Sequence, residues 1–264
     1  MANSPAVTHI ELPALPVVRR IGLADLKDAL AQGRADFMAK PTHMIFLCAI
    51  YPVCGLLFSR LVLGYQQALP LLFPLMAGFA LIGPLAALGV YELSRRREQG
   101  LDPSWGDAFA VLRSPSLGAI VTLGLVLVAI FFAWLRTANA IYEMTMGVAP
   151  PASLEEFVVQ LFTTSAGWSM IVLGNGAGCL FAIVVLAISV VSFPLLLDRN
   201  VGPVVAMATS VRAVLANPGP MAVWGLIVAA ALVIGSLPLF VGLAVVMPVL
   251  GHATWHLYRK LVVR

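Results

Sequence analysis

Two histidines near the C-terminus, His252 and His256, have the spacing in this chain that most suggests metal chemistry. Residues four apart on a helix lie on one face, so both imidazoles can reach one metal ion. Two ligands leave a metal site incomplete, and the nearest further candidates are His43 and Glu92. We therefore treat His252 and His256 as candidate metal ligands whose remaining ligands are open.

The alternative for these two histidines is a place in an aromatic belt. Trp255 and Tyr258 are their neighbours in the sequence, and Trp and Tyr concentrate at the interface between membrane and water. This interpretation requires no metal, and we favour it over metal or haem binding.

Glu92 is an acidic residue near the end of an apolar segment, and such residues are functional candidates by default. Arg95 and Arg96 follow it at i+3 and i+4, where a helix brings opposite charges together. Arg259 occupies the position of Arg95 in a later, similar segment. We predict a structural role for these four charged residues.

The composition is that of a polytopic membrane protein. Hydrophobic residues make up 61% of the 264 residues and charged residues only 11%, whereas a soluble domain has roughly 25% charged residues. No nucleotide-binding loop, Ser/His/Asp set or nucleic-acid motif is present in the sequence. We therefore expect the lipid bilayer as a partner, no cofactor and no nucleic acid, and we lean against an enzyme.

The apolar segments predict an all-α protein with six transmembrane helices. The run from Met221 to His256 has 36 residues, far more than the roughly 20 that cross a bilayer, so we place a break at 235–238. The predicted spans are 43–63, 71–93, 117–135, one within 169–197, 221–235 and 237–257. We expect them to pair as three hairpins, each preceded by an amphipathic helix.

An internal repeat supports this division. The segment 74–96 returns in 238–260 at a fixed offset of 164 residues, and amphipathic helix, proline and hairpin recur three times. We predict a disordered tail, 1–20, and one membrane domain, 21–264, with repeat units of about 21–97, 102–199 and 203–260. The prolines that mark the units are Pro41, Pro115 and Pro218 after the amphipathic helices, and Pro84, Pro194 and Pro248 inside the return spans.

The distribution of basic residues predicts the orientation. With six spans and an inner N-terminus, every Lys and Arg except Arg60 and Arg136 lies on the inner side, as the positive-inside rule requires. We therefore expect a multi-pass protein of the bacterial inner membrane with both termini in the cytoplasm. The amphipathic helices would then rest at the cytoplasmic face as a collar.

Three stretches, HMIFLCAIYPVCGLLFSR, GFALIGPLAALGVYELSRRRE and PVLGHATWHLYRK, resemble an uncharacterised bacterial family of predicted integral membrane proteins, a domain of unknown function. The resemblance extends from about Leu23 to the C-terminus. It implies a membrane protein but assigns no activity and no catalytic residue. Such families sometimes carry the label cytochrome oxidase subunit I, which does not fit four histidines, one of them His9 in the tail.

The sequence leaves three hypotheses for function. The first is a non-catalytic packing or assembly partner of another membrane complex, motivated by spans without charge in their central turns. The second is a channel or carrier for a small neutral or lipid-like solute. The third is a metal-binding or haem-binding membrane protein that uses His252 and His256.

Overall fold

The protein is described by a computed structural model that covers residues 15–41, 53, 56, 57, 60, 70–238 and 240–263. These residues form eleven α-helices and one 3₁₀ helix. The α-helices are α1 Leu23–Ala39, α2 Leu72–Leu81, α3 Gly83–Ala86, α4 Leu88–Glu98, α5 Leu117–Met146, α6 Leu154–Thr163, α7 Ser165–Ser189, α8 Ser192–Asp198, α9 Pro203–Ala216, α10 Pro218–Ser236 and α11 Leu243–Leu261, and the 3₁₀ helix is Trp105–Arg113. The predicted span 43–63 lies almost wholly outside the described residues.

Three helical segments of the described chain are long and apolar enough to cross a membrane. They are Leu117–Met146, Ser165–Asp198 and Pro218–Ser236. The protein is therefore an all-helical membrane protein, and these segments correspond to predicted spans three, four and five. The first of them is longer than the predicted 117–135, because the helix continues without a break to Met146.

Proline explains the interruption of two predicted return spans, whereas Pro248 lies inside α11 without breaking it. The predicted span 71–93 is divided into α2, α3 and α4, and Pro84 lies in the first turn of α3. Pro194 has no N–H to bond the carbonyl of Val190, and the helix is interrupted at 190–191, between α7 and α8. The break predicted at 235–238 is also present, but α11 begins only at Leu243, after a turn in which Phe240 has a φ of 64°.

The predicted amphipathic helices place their large apolar side chains on the outside. Met38, Leu112 and Leu215, each three residues before the proline that ends its helix, are 59%, 65% and 73% exposed. The inward faces combine large residues such as Leu26 and Phe37 with small ones, so that Ala108 lies close to Gly89 of α4 and Ala213 is fully buried. Small side chains let the helix axes approach, and they leave the large ones free to contact a surrounding apolar phase.

The helices close into a ring. The entry helices of the three predicted repeat units are α1, the 3₁₀ helix and α9, and the last helices of the predicted return spans are α4, α8 and α11. Each entry helix packs against the return helix of the preceding unit: the 3₁₀ helix on α4, α9 on α8, and α1 on α11 of the last unit. The helices α4, α8 and α11 also contact one another at the centre.

The two ends of the described chain lie side by side. Val18 and Val262 form an antiparallel bridge, with the Arg19 N–H donating to the Leu261 carbonyl at 2.8 Å and the Val263 N–H donating to the Val17 carbonyl at 3.0 Å. The end of the predicted disordered tail, 1–20, is thus paired with the C-terminal segment, because its backbone groups find partners there. Residues 1–14 lie outside the described residues.

Gly33 is the closest approach of α1 to α11, and its replacement by alanine tests the ring. A Cβ at Gly33 would lie 2.5 Å from the Ala253 backbone nitrogen, so the helices must separate. We expect Gly33→Ala to lower the free energy of unfolding by about 1–3 kcal/mol, as overpacking does. Thermal unfolding in a mild detergent measures the change.

The matched control is Gly118→Ala in the first turn of α5, where an added Cβ meets nothing within 4 Å. Because alanine is the better helix former, this variant should be as stable as the wild type or more so. Equal stability of the Gly33→Ala variant and the wild type would show that α1 and α11 do not approach this closely.

Candidate polar site between the first and last helices

The contact between α1 and α11 holds a partly buried carboxylate, Asp36. Gly33 allows the close approach, and Asp36 follows one turn later on the same face of α1, against α4 and α11. Its Oδ2 accepts a hydrogen bond from the Ser94 hydroxyl at 2.8 Å and lies 2.8 Å from Nε2 of His256. Nδ1 of His252 lies 2.6 Å from the Ser94 oxygen. The histidine spacing seen in the sequence therefore directs both rings toward one carboxylate, directly or through Ser94.

The protons of this cluster follow from its geometry. Ser94 has one hydroxyl proton, which it donates to Asp36. The short contact to His252 then requires the ring to donate from Nδ1, and the contact from His256 requires a proton on Nε2 because an ionised carboxylate only accepts. Every donor in the cluster points toward Asp36. The Ser94 hydroxyl donates to the Asp36 carboxylate, whose pKa is lowered, and so weak a base does not activate Ser94 as a nucleophile.

The surroundings keep Asp36 ionised. Burial raises the pKa of the Asp36 carboxyl, but the hydrogen bonds from His256 and Ser94 outweigh it and hold the pKa below its usual value. The guanidinium of Arg97 adds an ion pair, with Nε 3.1 Å from Oδ1. The Asp36 side chain is 10% exposed, so these partners replace water as the stabilisers of its charge.

The two candidate metal ligands are His252 and His256. Each ring presents one nitrogen to the Asp36 cluster, and among the described residues no group of three or more His, Cys, Asp or Glu side chains has the arrangement of a metal site. His43, the third candidate, lies outside the described residues. In this structure both histidines serve as hydrogen-bond donors.

The aromatic-belt interpretation of this segment is wrong. Trp255 and Tyr258 are buried, as is His252. The indole N–H of Trp255 donates to Glu98 at 3.1 Å, and the hydroxyl of Tyr258 donates to Asp198 at 2.6 Å. Because their polar ends find partners inside the protein, these aromatic residues do not need the headgroup region.

The charged residues singled out around Glu92 form two linked ion-pair groups. Glu92 is buried and accepts from Arg95 and from Arg96 at 2.8 Å each, at the predicted i+3 and i+4 spacing. Arg96 continues to Asp107 at 2.7 Å. Arg259 binds both Asp198, at 3.0 Å, and Glu98, at 3.1 Å. These pairs tie α4 to the 3₁₀ helix and α11 to α4 and α8.

A cavity of about 290 Å³ adjoins the Asp36 cluster. The ion pair between Lys40 and Asp102, at 2.6 Å, lies at its edge. Its lining comes from α1, α4, the segment before the 3₁₀ helix, and His252 of α11. The cavity adds one carboxylate beside the cluster, Asp102, which is paired with Lys40.

Sequence reasoning missed Asp36, Ser94 and Arg97. Asp36 stands 220 residues from its partner His256, so no local spacing connects the two. The one signal that the sequence held was an acidic residue, Asp36, three positions after a glycine, Gly33, in the same predicted helix.

Comparison with known families agrees with this architecture. Residues 72–198 match the family model described as "Predicted integral membrane protein (DUF2189)". This is a family of unknown function. The match confirms the resemblance stated from the sequence, over a shorter range than expected, and it takes in α2 to α8. Searches of curated proteins and of solved structures gave no match.

Replacing Asp36 tests the cluster. Asp36→Asn removes the charge that pairs with Arg97 and weakens the bonds to Ser94 and His256. We expect a loss of about 2–3 kcal/mol in the free energy of unfolding, measured by thermal or denaturant unfolding in detergent, because buried donors lose a charged acceptor.

The matched control is Asp28→Asn on the same helix. Asp28 pairs with Lys260 at 2.5 Å, but half of its side chain is exposed, so solvent screens the pair and its loss should change stability little. Similar losses for the two variants would contradict a buried, specific role for Asp36.

Acid should weaken the protein through the same carboxylate. The pKa of Asp36 is lower in the folded protein than in the unfolded chain, so its stabilisation is complete above the unfolded value of about 4 and is lost as the pH falls through the folded value. We expect the melting temperature of the wild type to fall more steeply than that of Asp36→Asn between pH 5 and pH 3, in a scan from about pH 7 to 3. Parallel curves would show that another group controls acid unfolding.

Proposed function

We propose that the protein is a non-catalytic inner-membrane protein with six spans in three hairpins, which acts as a packing or assembly partner for another membrane complex. The observation that carries the proposal is the contrast between the polar and packed interior of the ring and its apolar outer surface. The ring has a filled centre and a buried polar cluster, whereas large apolar side chains face outward from the entry helices and from the candidate spans.

The position of the chain ends supports an even number of spans. Residues 17–19 pair with 261–263, which favours a placement of both segments on one side of the membrane. An integral membrane protein with this arrangement crosses the bilayer an even number of times. The basic residues favour the cytoplasm as that side.

The outward side chains of the entry helices support a collar at the membrane surface. Met38, Leu112 and Leu215 project at the same position of each unit, and Trp105 and Phe109 are exposed beside Leu112. Helices with such faces rest in the headgroup region of a bilayer. The ring would then sit at the cytoplasmic boundary with its polar contacts facing inward.

The filled centre argues against a channel or carrier. Where α4, α8 and α11 meet, the side chains of Tyr91, Phe193, Leu195, Trp255 and Leu257 are buried. Side chains packed in this way fill the space between these three helices. The second hypothesis therefore lacks a supporting observation among the described residues.

The candidate spans offer extensive apolar faces for lipid or for partner helices. Exposed residues recur along α5, α7 and α10: Val121, Leu125, Phe132, Val172, Leu180, Ile183, Leu226, Val233 and Ile234. A partner that buries part of this surface would contact one side of the protein, and lipid would contact the rest.

Photo-crosslinking from single positions in native membranes tests the proposal. Val172 of α7 and Leu226 of α10 are exposed, so a crosslinking side chain at either position points outward. Leu123 is buried. We expect an adduct of one defined mass from one of the two outward positions and none from Leu123. A protein that gives no adduct from either outward position would contradict the partner role.

A flux assay separates the rival function. Liposomes that contain the purified protein should be no more permeable to glycerol than liposomes without it. Measurable glycerol flux would favour the channel and overturn the proposed function.

A further inference from the structure

A second cavity lies on the other side of α4, away from Asp36. It has a volume of about 400 Å³ and is bounded by α4, by the end of the 3₁₀ helix with the turn that follows, and by the end of α8. The turn leads directly into α5, and α8 ends the segment Ser165–Asp198. The cavity therefore lies where two candidate membrane spans reach the same surface.

The walls of this cavity carry an excess of positive charge. Four arginines line it, together with two carboxylates: Arg95, Arg96, Arg113 and Arg199, with Glu92 and Asp198. Both carboxylates are already engaged, Glu92 by Arg95 and Arg96, and Asp198 by Tyr258 and Arg259. Arg96 also pairs with Asp107, and Arg199 donates to the Val263 carbonyl, so three of the four guanidinium groups are partly engaged.

Arg113 is the arginine most available to a ligand. It is exposed, and no ion pair of Arg113 is present among the described residues. Guanidinium groups bind phosphate through two parallel hydrogen bonds, which makes arginine the usual residue for such groups.

Ser116 provides a second, independent indication that the cavity binds an anion. Its side chain lines the cavity, the residue is only 3% exposed, and within the described parts of the chain its hydroxyl has no hydrogen-bond partner. A buried hydroxyl without a partner is costly. It stands directly before the 30-residue helix α5, whose N-terminal N–H groups and dipole favour an anion at this end.

From these observations we propose that the cavity binds a phosphate group, held by Arg113, by the other wall arginines and by the Ser116 hydroxyl. Two sources share this chemistry: the headgroup of an anionic phospholipid and a soluble phosphate compound. The site lies at the ends of two candidate spans, the depth at which a lipid headgroup is found. The inference does not depend on the proposed assembly role.

The test measures phosphate binding by the purified full-length protein in two arms. In the lipid arm, native mass spectrometry counts phosphatidylglycerol or phosphatidylcholine retained after exchange into a neutral detergent. In the soluble arm, the shift in melting temperature with inorganic pyrophosphate is recorded without lipid. We expect preferential retention of phosphatidylglycerol, and a shift with pyrophosphate alone would identify a soluble ligand at the same site.

Two variants and two controls link the binding to this cavity. Arg113→Gln and Ser116→Ala break no ion pair or hydrogen bond made by either side chain among the described residues, so both should fold, and each should weaken binding about tenfold, the loss expected for one charge-assisted hydrogen bond. Arg212→Gln and Ser169→Ala change exposed residues elsewhere and should bind like the wild type. Absence of binding in both arms, or equal losses in variants and controls, would overturn the proposal.

Discussion

The packing of the first helix against the last is the constraint on which the structure depends. Gly33 allows the two backbones to approach, and the partly buried Asp36 then draws Ser94, Arg97 and His256 around one negative charge. A buried charge is tolerated only with such partners. The contact therefore both closes the ring and fixes the register of three helices. If α1 and α11 separated, the backbone bridge between Val18 and Val262 would no longer be held in place.

The entry helices serve two environments at once. Their inner faces pack both small residues and large ones such as Leu26 against the return helices, and their outer faces still expose large apolar residues such as Met38 and Leu215. In a soluble protein the large residues would form the core, whereas next to lipid the hydrophobic effect gives no such preference. Polar contacts and close packing therefore hold the ring together, and its apolar exterior suits it to a bilayer.

Much of this organisation follows from local signals in the sequence. The charge spacing around Glu92 predicted its ion pairs, because opposite charges three and four residues apart meet within one helical turn. The Asp36 cluster was not predictable in the same way, since its members come together only after the ring closes. The burial of Trp255 was missed because its partner, Glu98, is 157 residues away in the sequence. Polar pairs between residues far apart in the sequence produce no periodic pattern from which they could be predicted.

The most direct measurement of ring closure is a disulfide between the two chain ends. Val18 and Val262 form a bridge flanked by two backbone hydrogen bonds, and such pairs have Cα atoms about 4.5 Å apart, within reach of a disulfide. The test protein carries Val18→Cys and Val262→Cys, and alanine replaces its three native cysteines. It also carries a protease site inserted at 148–152. The protein is oxidised in isolated membranes and then cut at this site. If the ring is closed, the disulfide should join the two fragments until reductant is added. Fragments that separate without reductant, or links formed only between molecules, would contradict it.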